Sequence, residues 1–77
     1  MITNPEHVKT VARVGEELKK LRIKAGYPKH DLFAFKNGLP RVQYWRMEKG
    51  TNFTFKGLLR ILDIHKLTLP EFFSKLM

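Results

Sequence analysis

Residues Gly26 to Gly50 read GYPKHDLFAFKNGLPRVQYWRMEKG, and this stretch decides the fold. Leu32, Phe33 and Ala34 form an apolar run that stops at Asn37-Gly38. A glycine at that point can take the left-handed conformation that ends a helix, because it has no Cβ to clash. Leu39 then returns to the core and Pro40 opens a second helix. Proline suits a first turn, whose N–H groups have no intrahelical partners anyway. Two short helices joined by a tight glycine turn are therefore expected. In the second, Tyr44 and Met47 point inward with Leu39, and Arg41, Val42, Gln43, Trp45 and Arg46 occupy the outer arc.

Working outward, the chain reads as all-α, with five helices and no strands. Thr3-Asn4-Pro5-Glu6 resembles a capping box with proline in the first turn, which predicts a helix from near Pro5 to Ala25. Val8, Val11, Val14, Leu18, Leu21 and Ala25 recur at threes and fours as one apolar stripe, with Gly15 as the point that bends or divides it. Residues 1–13 read as an N-terminal helical extension of a domain spanning 14–77. A frayed arm, an extra helix turn and part of a subunit contact are all open to that extension.

Downstream, Thr51-Asn52-Phe53 reads as a loop and Thr54 as the N-cap of a fourth helix, which Phe55, Leu58, Leu59, Ile61 and Leu62 would bury. Thr68-Leu69-Pro70-Glu71 is another capping box and starts a short fifth helix with Phe72, Phe73 and Leu76. Phe33, Phe55 and Phe72 are expected in the core. Phe73 and Leu76, on a terminal helix, offer a surface for a second subunit.

Seventy-seven residues fit one small domain, near the size at which a single core is only marginally stable, so dimerisation would help. There is no cysteine, hence no disulfide, thiolate metal site or thiol nucleophile, and a reducing, intracellular setting is the simple reading. No apolar run approaches a membrane span and no signal-peptide core is visible, so a soluble, cytoplasmic protein is expected. The formal net charge is +8 at pH 7. Residues 1–28 hold six Lys/Arg and three Asp/Glu, residues 29–60 seven and two, and residues 61–77 two and two. The excess thus centres on the two-helix unit. Basic charge of this kind supplies the sequence-independent part of nucleic-acid binding by releasing counterions.

From Val14 to Phe73 the chain resembles the Cro/CI-type (XRE-like) family of helix-turn-helix DNA-binding domains. The shared features are Leu21-Arg22 before Gly26, Ala34 in the second helix, Gly38 in the turn, and Glu48-Lys49-Gly50 closing the third helix. Ala34, Gly38 and Glu48 are separated by four and then ten residues, as in the family. The chain departs from the pattern in the longer gap between Gly26 and Ala34, in Pro28-Lys29 where a serine cap is common, and in Asn37 where an apolar residue is usual. The resemblance implies a small five-helix, lambda-repressor-like bundle. It also implies that Arg22 and Glu48 pair, fixing how the third helix sits on the scaffold.

The same resemblance assigns base reading to Arg41, Val42, Gln43, Trp45 and Arg46. Arg41 lies at the helix's N-terminal end, which enters the major groove most deeply in this motif, and can donate two hydrogen bonds to guanine. Val42 suits a thymine methyl, Gln43 an adenine or a phosphate, and Arg46 a base or the backbone. Trp45 has two readings, a DNA contact or a hydrophobic patch that packs on protein. Lys29 and His30 at the second helix's start, with Lys49, Asn52 and Lys56 around the following loop, are the candidates for phosphate contacts.

Catalysis and metal binding have little support. His7, His30 and His65 are far apart with no metal-ligand spacing, Ser74 is the only serine, and no glycine-rich phosphate loop occurs. The expected function is sequence-specific binding of double-stranded DNA by a cofactor-free transcriptional repressor or regulator. A homodimer would set two reading helices about 34 to 36 Å apart on a pseudo-palindromic site. No separate sensor domain is expected. Two alternatives stand beside this. The chain can be an antitoxin that represses its own operon and binds a toxin through its N-terminal extension and the Phe72-Phe73 end. Or the two-helix unit can serve protein association alone, its basic face meeting an acidic partner.

Overall fold

Asn4 starts the first helix: its Oδ1 accepts from the Glu6 N–H at 2.8 Å, and Pro5 fills the first turn. The cap is therefore Asn4 and not Thr3, which lies outside residues 4–51 and 54–76, the part of the chain that this computed structural model describes. Five helices follow in order: α1 (Pro5–Lys24), α2 (His30–Lys36), α3 (Arg41–Lys49), α4 (Phe55–Ile64) and α5 (Leu69–Ser74). There is no strand among the described residues. The radius of gyration, 11.8 Å, is close to the roughly 11.5 Å expected for a compact chain of this length.

Phe33 is the centre of the core. Its ring meets Tyr27 edge-on at 5.2 Å, Tyr44 at 5.1 Å and His65 in a parallel stack at 5.4 Å, so α2 is tied to the α1–α2 turn, to α3 and to the end of α4 by one side chain. Val14 and Leu18 from α1, Ala34 from α2, Met47 from α3, Leu58, Ile61 and Leu62 from α4, and Phe72 from α5 complete it. Each such side chain contributes about 1.5 to 3 kcal/mol on burial.

The turn between α2 and α3 follows the glycine rule. Gly38 sits at φ 66°, and the Leu39 N–H returns to the Ala34 carbonyl at 2.8 Å. Asn37 turns its side chain back, and Nδ2 donates to the Phe33 carbonyl at 2.8 Å. Pro40 is the N-cap of α3 and not its first residue. Thr54 caps α4 by accepting from the Gly57 N–H at 3.1 Å, and Thr68 and Glu71 form a reciprocal capping box on α5. The hydrogen bonds from Thr68 hold the Glu71 carboxyl below its usual range.

Several expectations need correction. α1 is uninterrupted through Gly15, which serves a close approach to another helix. Val8 and Ala25, at the ends of the stripe, are exposed. Phe55 is 54% exposed and Leu59 39% exposed, whereas Leu58, Ile61 and Leu62 are buried. Leu59 lies off the buried arc; Phe55 lies in line with Leu62 but about two turns earlier, at the first residue of α4.

Candidate nucleic-acid interface

α3 turns about 100° per residue, which sets Tyr44 and Met47 in the core and Val42, Arg46 and Lys49 on the opposite arc. Arg41 and Trp45 flank that arc on the α2 side, and Gln43 flanks it on the α4 side. Contacts around the helix bear this out. Arg41 borders a surface depression with Lys29. The Trp45 ring lies 6.2 Å from the His30 ring at the start of α2, and Lys49 Nζ sits 5.5 Å from its centroid. Gln43 lines a cleft of about 240 Å³ with Lys56 and Arg60 of α4. The described candidates thus surround one exposed helix face, while Asn52 lies outside the described residues.

Trp45 takes part of each of its two readings. It bridges α3 to the start of α2 through His30, yet 41% of it stays exposed under the Lys49 ammonium. A cation over an indole face is favourable by about 0.5 to 1 kcal/mol at exposed sites. Val42, 52% exposed, projects outward.

Helix termini add to the local field. Neither Lys29 at the start of α2 nor Pro40 at the start of α3 supplies a side-chain cap, and α3 has no acid in its first turn. In α2 the first-turn Asp31 accepts from the Leu32 N–H, whereas at α3 the first N–H groups and the positive end of the dipole meet neither cap nor acid, an arrangement that attracts anions. By contrast α1 and α5 carry both caps and acids.

The position of α3 is set by three contacts. Arg22 Nε donates to Glu48 Oε2 at 2.7 Å and Nη2 donates to Oε1 at 3.1 Å, while Nη1 donates to the Tyr27 carbonyl at 2.8 Å. Both charged side chains are almost fully buried, and the Glu48 carboxylate raises the Arg22 pKa further above its ordinary value. Nearby, burial and then Glu48 push the Tyr44 hydroxyl far above the usual tyrosine range, and that buried hydroxyl has no hydrogen-bond partner among the described residues. The second contact is Gly15, where a Cβ would stand 2.7 Å from the Met47 carbonyl oxygen and closer still to that of Glu48. The third is Arg60, whose Nη2 donates to the Gly38 carbonyl at 2.6 Å and so ties α4 to the turn.

Gly15 and Arg60 are the residues that sequence reasoning missed. A glycine inside an otherwise strong helix pattern was the available signal for the first. Nothing local pointed to the second.

Among the described residues no cluster of His, Cys, Asp and Glu could hold a metal ion, and no helix is long and apolar enough to cross a membrane. No family model matches the chain, and neither a curated protein nor a solved structure does.

Proposed function

We propose that this chain binds double-stranded DNA sequence-specifically as a helix-turn-helix regulator of the Cro/CI type, with α3 as the reading helix. The observation that carries the proposal is the outer arc of α3. It presents Val42, Arg46 and Lys49, with Arg41 at its flank, from a helix whose N-terminus has no side-chain cap and no first-turn acid. On this reading Arg41, Val42 and Arg46 meet base edges, Gln43 reaches from the α4 side, and Trp45 borders the sugar-phosphate edge beside His30. Lys29, Lys49 and Lys56 bind phosphates. Arg22 and Glu48 act only by positioning the reading helix. A homodimer would double the interface, since one such module buries little DNA surface.

Selection of binding sites from random duplexes tests this directly. A consensus is expected, with preference at one base pair lost in Arg41→Ala and affinity uniformly weakened in Lys56→Ala. Recovery of no consensus would falsify sequence-specific binding.

A further inference from the structure

We propose that the outer face of α2 is a docking surface for an acidic, apolar-anchored helix of a partner protein; that its occupation excludes DNA rests on the reading above. Phe35 is 80% exposed, more than any other large apolar residue described, and Leu32, one helical turn earlier on the same face, is 43% exposed. With Leu39 they floor an open depression of about 630 Å³, edged by Lys29, Asp31 and Arg41. Phe33 and Ala34 already fill the inward side of this seven-residue helix, so Phe35 has no route into its own core. Scattered exposed apolar residues need no explanation, but a contiguous group in a concave surface marks a binding site.

Charge selects the occupant. Lys29 and Arg41 edge the apolar floor, Lys36 follows Phe35 as an exposed residue of the same helix, and the one acid lining the depression, Asp31, is engaged by the Leu32 N–H at 2.8 Å. A second copy meeting this face with its own would set those cations against each other in a chain of formal charge +8. A duplex can match the cations, but with its base faces stacked it offers only isolated thymine methyls in the major groove, too little apolar surface to cover Phe35, Leu32 and Leu39 together. An amphipathic helix with apolar anchors and flanking carboxylates satisfies both parts of the surface. Because Lys29 and Arg41 also stand in the DNA-facing set, the partner's carboxylates compete with phosphates for them.

The test is a titration of the ¹⁵N-labelled full chain with a synthetic helical peptide carrying leucines on one face and glutamates beside them, and with its scrambled isomer. Chemical-shift changes centred on Leu32, Phe35 and Leu39 are expected for the first peptide only. Phe35→Ser should weaken binding at least about tenfold while leaving the unfolding midpoint and DNA affinity unchanged. The peptide should also displace a selected duplex from the native chain and fail to do so from Phe35→Ser. Equal binding of the scrambled peptide, shifts centred on α4 or α5, or undiminished binding by Phe35→Ser each overturns the docking surface. So does a dimer in sedimentation that Phe35→Ser dissociates, which would make a second copy the occupant. If no duplex binds, the reading of DNA fails alone, and the peptide titration still decides the docking site.

Discussion

Arg22 holds Glu48 through two parallel hydrogen bonds, at 2.7 and 3.1 Å, across the junction between the end of α1 and the end of α3. The geometry is bidentate, and a third bond runs from the same guanidinium to the Tyr27 carbonyl, so that all three of its nitrogens donate. Removal of one partner strands the other as an uncompensated buried charge. Arg22→Ala is therefore expected to lose about 3 to 5 kcal/mol in urea unfolding, where an exposed pair would lose about 0 to 1. A loss near zero would show that the pair does not hold α3.

Gly15→Ala is expected to destabilise the chain even though alanine is the better helix former by about 1 kcal/mol. The new methyl group would overlap the carbonyls of Met47 and Glu48, which are backbone and cannot rotate away. α1 must then back off from α3, at about 1 to 3 kcal/mol for overpacking. Thermal melting checks the sign. A stabilised Gly15→Ala would mean that the two helices do not approach so closely.

These two contacts also show what was legible in the amino-acid order. Thr54, Thr68 with Glu71, and Gly38 could be read because a cap or turn is a local event, decided within a few residues. Tyr44 and Met47 could be read because the inward arc of a short helix follows from spacing once its start is known. Gly15 was recognised only as an interruption, since its reason is the backbone of a helix some thirty residues away. Phe55 and Leu59 misled for different reasons: Leu59 lies off the buried arc of α4, and Phe55 lies in line with Leu62 but at the helix's first residue. Lys66 takes a left-handed φ of 57° at the end of α4, where composition would have suggested glycine or asparagine. For the candidate site, the outer residues of α3 followed from position alone, whereas the roles of Trp45 and Arg60 depend on which side chains of α2 and α4 come alongside.

Stability should fall on mild acidification through His65. Its ring is stacked on Phe33, Nε2 is buried without a hydrogen-bond partner among the described residues, and burial holds its pKa below the usual 6.5. In the window between that lowered value and 6.5 the unfolded chain binds a proton that the folded chain refuses, so unfolding free energy rises with pH there and is level above it with respect to this group. Urea midpoints measured across pH 5 to 7, about the range in which histidine titrates, should therefore climb and then flatten. In His65→Gln the climb should vanish. Persistence of the same slope in that variant would assign it to another group.

Trp45 is the only tryptophan, so its emission is a built-in reporter at the edge of the proposed reading face. Its half-exposed ring lies between His30 and the Lys49 ammonium, both of which would be drawn to phosphate on binding. Adding a selected duplex should shift or quench the emission in a saturable way, and repeating the titration at several salt concentrations gives the number of phosphates engaged. Log affinity should fall linearly with log salt by about 0.9 per phosphate contact. Lys49→Ala should reduce that slope by about one unit, weakening all sequences alike. The variant also removes the cation from the ring, so the emission of the free protein should change before any DNA is added. An altered free spectrum with an unaltered salt slope would place Lys49 on Trp45 but not on the phosphate backbone, leaving Lys29 and Lys56 to supply the electrostatic contacts.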